Sequence, residues 1–134
     1  MTDAAVPSGF DRWPHPSPVL ERLGSFWQHR DDPLLIGFPV DEDKCNARGF
    51  LHAGVVAAFA DVAIGHALAR SADPPVSLVT VNLNCDYLGV AERGTWVEGR
   101  IRPVRLGRRM GTGDCTFTAD GRLVAVARGL FMPA

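Results

Sequence analysis

Residues 46–69 read NARGFLHAGVVAAFADVAIGHALA, and the fold turns on how that run is taken. It is dominated by alanine and glycine, follows the polar stretch EDKCNARGF and ends at SADPP. That pattern predicts a long helix from about His52 to Arg70. The run is almost long enough to cross a bilayer. His52, Asp61 and His66 fall within it, however, and charges at the centre of a membrane helix are costly. The reading is therefore a helix buried inside a soluble protein, with no membrane partner.

Asp61 is the anomaly in this helix. Its neighbours three and four residues away are Ala57, Ala58, Ile64 and Gly65, and Ala60 and Val62 flank it. None is a cation, so no ion pair forms within the helix. A buried, unpaired carboxylate is costly. Either a group outside the helix pairs with it, or its chemistry is used. The plainer alternative is a carboxylate facing solvent in a gap at a subunit edge, or paired with an arginine of the sheet.

The start of the helix is the second candidate. Asn46, Gly49, His52 and Gly54 precede or open it. Free backbone N–H groups and the positive dipole end suit an oxyanion or a polarised carbonyl. For His52 the bland reading is a capping or core histidine. His52 and Asp61 are nine residues apart, which puts them on opposite sides of a helix and about 13 Å apart along its axis. They cannot meet within one chain. A single reaction centre using both would lie between two copies of the helix, which predicts a homodimer. Ala57, Ala58, Ala60 and Ala63 are small enough for close packing there.

Outward from the helix, SPVLERLGSFWQHRDDP (residues 17–33) reads as a short helix. Ser17 caps it, Pro18 opens it, and Leu20, Leu23 and Trp27 form its stripe. The proline-rich start before it is an extended lead-in. PLLIGFPVD is a strand in which Pro39 argues for an edge or a bend. After the long helix the period changes to two. In VSLVTVNLNCDY, Val79, Val81, Leu83, Cys85 and Tyr87 fall on one face, and Thr80, Asn82, Asn84 and Asp86 on the other. TWVEGRIRPVR, RRMGTGDCTFTA and LVAVARGLFM complete four consecutive strands, with a tight turn at Leu106–Gly107 and an Asp-Gly hairpin signal at 120–121. Short connections favour an antiparallel meander. The fold class is α+β, one long helix against an antiparallel sheet. Residues 1–33 form an N-terminal extension and 34–134 the main domain.

Bulk composition narrows the function. The chain has 134 residues, 46% hydrophobic and 22% charged, with a net charge of −1. Nothing global attracts nucleic acid or an anionic membrane. The three cysteines are odd in number and form no CxxC, which suggests neither a disulfide framework nor a zinc site. The four histidines lack metal spacing, so no metal is expected. A reducing compartment fits, and the N-terminus has no secretory pattern. A cytoplasmic location is expected.

The order of asparagine, five residues, histidine, any residue and glycine, with an aspartate fifteen residues after the asparagine, is carried by Asn46, His52, Gly54 and Asp61. It resembles the hotdog-fold acyl-CoA thioesterases of the phenylacetate-pathway type, over roughly residues 34–132. The resemblance implies a hotdog fold, a site shared between subunits, and hydrolysis of acyl-CoA to free acid and coenzyme A. Coenzyme A is part of the substrate, and no cofactor is implied. Asp61 would activate water or attack the thioester carbonyl. The Ala53 N–H would contact the oxyanion. Asn46 would position the thioester or water, His52 would order the loop, and Thr80 would place a hydroxyl beside the acid. The family's usual run is histidine-glycine-glycine; His52-Ala53-Gly54 keeps the N–H but adds a methyl group.

RPVRLGRRM supplies a local anion site, with Arg102, Arg105, Arg108 and Arg109 around the turn at Gly107. Phosphates need such partners, and in relatives this turn meets the nucleotide end of coenzyme A. Gly107, Arg108 and Arg109 are the candidates; a solvated basic hairpin is the plain alternative. The cluster is short and lacks interleaved aromatics, which speaks against nucleic acid. Two rival functions stand beside hydrolysis: a hotdog module that binds acyl-CoA without cleaving it, and an enoyl-CoA hydratase. The nine-residue spacing of His52 and Asp61 speaks against the hydratase. Phe26, Trp27, Phe50, Phe59 and Leu88 are candidates for an acyl pocket, each also a candidate for core. A homodimer or homotetramer is expected.

Overall fold

The computed structural model describes residues 4–134. Seven strands make one antiparallel sheet: β1 (Phe10–Arg12), β2 (Trp27–His29), β3 (Leu35–Pro39), β4 (Leu78–Tyr87), β5 (Trp96–Leu106), β6 (Gly111–Ala119) and β7 (Arg122–Pro133). Helix α1 spans Pro18–Arg22, and helix α2 spans Ala53–Arg70. The sheet order is β1-β2-β3-β5-β6-β7-β4. Helix α2 lies against this sheet, touching β4, β5, β6 and β7, which is the hotdog layout the resemblance implied.

The long helix forms where its pattern places it. Val55, Val56, Phe59, Ala60, Ala63, Ile64 and Leu68 are buried, a stripe at the i, i+4 spacing of one helix face. Each large member contributes about 1.5–3 kcal/mol by leaving water. Gly65 faces the Phe131 ring of β7, where an added Cβ would come within 3.1 Å of the ring. The opposite face, with Ala57, Ala58, Asp61 and Val62, stays half-buried in the single chain.

Three expectations need correction. The first helix ends at Arg22, and Trp27 belongs to β2. Ser17 and Pro18 start it as read, but Leu23 closes it with its N–H on the Leu20 carbonyl, and Gly24 follows at φ 98°. The residues before it are not only a lead-in: β1 pairs with β2, which joins β3. Trp13, Leu20 and Phe26 enter the main core, so much of the N-terminal extension is continuous with the sheet. Pro39 fits its expectation: β2 pairs with β3 only at Ile36 and Gly37, so Pro39, at the strand's end, has a partner, Trp96, on the β5 side alone.

The meander holds only for β5, β6 and β7. Strand β4 pairs with β7 rather than β5, at the other edge. The connection after Tyr87 therefore crosses the sheet, which its short length permits at about 4.8 Å per strand. Asp120 and Gly121 turn between β6 and β7 with φ of 51° and 74°, the backbone an Asp-Gly hairpin requires.

Strand β4 also breaks its period. Thr80 pairs with Phe131 and Asn82 with Leu130, which leaves Val81 as an extra residue, a β-bulge. The faces exchange across it. Leu78 and Thr80 lie on the helix side before the bulge, and Cys85 and Tyr87 after it. Val79 and Val81, expected on the buried face, are 46% and 48% exposed.

Candidate active site

The loop before α2 is built to hold the helix end. Lys44 is fully buried; its Nζ lies 3.1 Å from Asp41 Oδ2 and 5.0 Å from the Phe26 ring centroid. Burial pushes its ammonium pKa below the usual value, with Asp41 opposing the shift. The Lys44 carbonyl accepts the His52 N–H at 2.8 Å. Between them, Asn46 Oδ1 accepts from the backbone of Arg48 at 3.0 Å and Phe50 at 3.1 Å. Gly49 turns the chain at φ 84°. The Asn46 oxygen is thus committed to its own loop, which leaves its amide N–H groups to meet a ligand.

His52 is the N-cap of α2. Its Nδ1 accepts the Gly54 N–H at 2.8 Å, so a neutral ring carries its proton on Nε2. The capping alternative weighed from sequence is the one seen. Gly54 gives the ring room, since a Cβ there would sit 3.0 Å from Nδ1. The Ala53 N–H has no acceptor among the described residues. The Tyr87 hydroxyl donates to the Ala53 carbonyl at 2.7 Å, and burial pushes its pKa up to about 12. Asn46, Ala53 and Tyr87 border a cavity of about 190 Å³ at this helix end.

Nine residues on, Asp61 borders a different cavity of about 390 Å³. Its carboxylate is not buried as expected but half-exposed. No cation pairs with it among the described residues. Its partner is Thr80, whose Oγ1 donates to Oδ1 at 2.5 Å.

The basic turn is the third cluster. Gly107, Arg108 and Arg109 border an open cleft of about 410 Å³ with Arg105. The Gly107 N–H bonds to the Met110 carbonyl at 2.8 Å. Arg108 and Arg109 lie in the turn, since β6 starts only at Gly111. Arg102 leaves the cluster, because its guanidinium holds Asp114 at 2.5 Å.

One chain therefore gathers the candidates into three groups: Asn46, His52, Ala53 and Gly54; Asp61 and Thr80; Gly107, Arg108 and Arg109. No residue borders two of the three cavities. Among the aromatic candidates, Phe26 and Phe59 are core, while Phe50 borders the cavity at the helix end. Trp27 is in β2, and Leu88 is 60% exposed. Sequence reasoning missed Tyr87, His15 and His66. Tyr87 is the chain's sole tyrosine; the bulge that aims it inward had no sequence signal. His66 lies five residues after Asp61 on the same helix and was legible as a neighbour. Its partner His15 comes from the extension.

Comparison with known proteins agrees with this fold. The family model of the thioesterase superfamily matches residues 48–126. A Pseudomonas aeruginosa protein named "Putative esterase PA0474" is 40% identical over 128 residues, covering 94% of this chain and 96% of that one. The thioesterase HI1161 of Haemophilus influenzae shares the fold at a TM-score of 0.76 and 23% identity, over 87% of this chain and 82% of that one. The BH2602 protein of Bacillus halodurans, solved with CoA, gives a TM-score of 0.70 at 25% identity, over 78% and 69%. By its sequence match and its hotdog architecture, the chain belongs to the thioesterase superfamily.

Proposed function

We propose that this protein hydrolyses acyl-CoA thioesters to the free acid and coenzyme A. One observation carries the reading. Asp61 stands in an open cavity, no cation pairs with it among the described residues, and a hydroxyl, Thr80, holds one of its oxygens. A carboxylate fixed in this way keeps its second oxygen directed to a water or a carbonyl carbon. It acts there as base or as nucleophile. Label found in Asp61 after a single turnover in heavy-oxygen water identifies the nucleophilic route, with water opening the mixed anhydride at the aspartyl carbon.

The unspent Ala53 N–H at the start of α2 is the oxyanion donor in this reading. His52 and Gly54 shape that helix end, and Asn46 holds the loop and offers its amide to the thioester. Because the Ala53 and Asp61 cavities are separate in one chain, the reaction centre needs the Ala53 end of one subunit and Asp61 of another. The free edge of β4, ten residues long with Val79 and Val81 exposed, suits a second copy of the chain. Gly107, Arg108 and Arg109 receive the phosphates of coenzyme A; the CoA bound to the Bacillus halodurans relative supports that ligand class.

The test is thiol release from a panel of aliphatic and aromatic acyl-CoAs, wild type beside Asp61→Asn. The reading expects turnover in the wild type and its near-complete loss in the variant, with substrate binding retained. Acyl-CoA binding with no turnover in either protein would instead identify a binding module, and hydration of a crotonyl-type substrate would identify a hydratase.

A further inference from the structure

The Asp61 cavity has a second polar cluster that cleavage of a plain acyl chain leaves unused. Its lining combines Asp61 with the Thr80 hydroxyl bonded to it, the apolar surface of Gly65, Leu78 and Phe131, and a cluster of His15, His66 and Arg70 in mutual contact. The rings of His15 and His66 stack with centroids 4.0 Å apart and planes 8° apart. Arg70 Nη1 lies 3.5 Å from His15 Nε2.

Among the described residues, Arg70 is the one lysine or arginine at this cavity, and Asp61 the one acid. No carboxylate pairs with Arg70 among the described residues. A basic residue in the last turn of a helix complements the helix dipole, which explains a positive charge at this position. It does not explain why the guanidinium borders the cavity beside two imidazoles. Burial holds both histidines below their usual pKa, which favours neutral rings, each with an N–H to donate.

We propose that the acyl group this site takes carries a carboxylate at its far end: a medium-length dicarboxylic acid presented as its mono-CoA thioester. The proposal rests on the reading of Asp61 as the reaction centre. Asp61 and Arg70 are about 13 Å apart along the helix axis and on opposite sides of it, but both border this cavity, whose lining also takes in Val62, Gly65, His66 and Ala69 of the same helix; that span leaves room for a short run of methylenes. Those methylenes lie on Gly65, Leu78 and Phe131. The distal carboxylate meets the guanidinium in the paired geometry that arginine favours and accepts from an imidazole. A methyl end would lie against the same groups and gain nothing from them. The extension before α2 thereby acquires a role, since it delivers His15 to the ring stack.

The test compares two non-hydrolysable ligands by calorimetry: the octyl thioether of coenzyme A and the same chain ending in a carboxylate. The wild type is expected to bind the carboxylate-ended ligand about tenfold more tightly. Arg70→Gln is expected to bring that ratio close to one. Equal or weaker binding of the carboxylate-ended ligand by the wild type would overturn the proposal, as would an unchanged ratio in Arg70→Gln. Suberyl-CoA and octanoyl-CoA turnover should show the same preference. The carboxylate preference in binding with no turnover of either ester would keep this proposal and remove hydrolysis. Equal binding and equal turnover would keep hydrolysis and remove this proposal.

Discussion

The hydroxyl of Thr80 donates to the carboxylate of Asp61 at 2.5 Å. Seven residues further along the same strand, Tyr87 donates to the Ala53 carbonyl at 2.7 Å. An odd separation puts two residues on opposite faces of a regular strand. The bulge at Val81 puts both on the helix side, so β4 fastens the middle and the start of α2 at once. If Thr80 fixes the reacting carboxylate, Thr80→Val should lower kcat about ten- to hundredfold, the worth of a hydrogen bond to a charged group. KM should change little, and Thr80→Ser should restore most of the rate. A loss confined to KM would show that the hydroxyl serves binding instead.

The cap on α2 predicts a stability effect. His52→Ala removes the acceptor for the Gly54 N–H and should cost about 1 kcal/mol. That corresponds to a fall of roughly 3–5 °C in Tm. His52→Asn should recover most of it, since asparagine is a favoured cap. Thermal melts of the three proteins decide it, and an unchanged Tm for His52→Ala would show that the observed bond contributes nothing.

The stacked histidines set a pH dependence. Burial lowers the pKa of both His15 and His66, and Arg70 adds to the effect at each. As pH falls, the unfolded chain takes up protons before the folded one. The stability these rings contribute is therefore complete above the unfolded value of about 6.5. It falls as pH drops through that value toward the folded one. The urea midpoint should decrease from about pH 7.5 to about pH 5.5. In the double variant His15→Phe and His66→Phe the decrease should be shallower. Parallel profiles would place the responsible groups elsewhere.

The arginines of the β5–β6 hairpin should separate by pairing. Arg108→Gln and Arg109→Gln are expected to raise KM for acyl-CoA roughly five- to tenfold with little change in kcat. Arg102 is tied to Asp114, so Arg102→Gln should leave both constants near wild type. The KM effect should also shrink as salt rises. A larger effect from Arg102 would move the phosphate site to the face of β5.

Much of the architecture was legible because α2 and β5–β7 keep strict periods. The stripe from Val55 to Leu68 follows helical spacing, and the Asp-Gly turn announces its hairpin. What failed did so for local reasons. SPVLERLGSFWQ has helical spacing at Leu20, Leu23 and Trp27, but Gly24 at φ 98° turns the chain, and sheet pairing then claims Trp27. The faces of β4 were misassigned because one extra residue, Val81, reverses the alternation without any mark in composition. The motif named Asn46, His52 and Asp61, which the fold sets at the start and in the middle of α2. It did not show that Asn46 Oδ1 and His52 Nδ1 are spent on the loop and the helix end. Nor did it show that a residue from the extension, His15, reaches the Asp61 cavity.

The proposed mechanism assembles its reaction centre from Ala53 of one subunit and Asp61 of another. Ala53→Pro removes the proposed oxyanion N–H at the first helical position, where proline is well tolerated. Asp61→Asn removes the carboxylate. Each variant alone should release no thiol from acyl-CoA. In a mixed dimer of the two, one site regains both wild-type groups, so co-expression should restore thiol release to about half the wild-type rate per mixed dimer, by the pairing of sites in a closed two-fold assembly. Mixed dimers that stay inactive beside an active wild type would contradict the shared site.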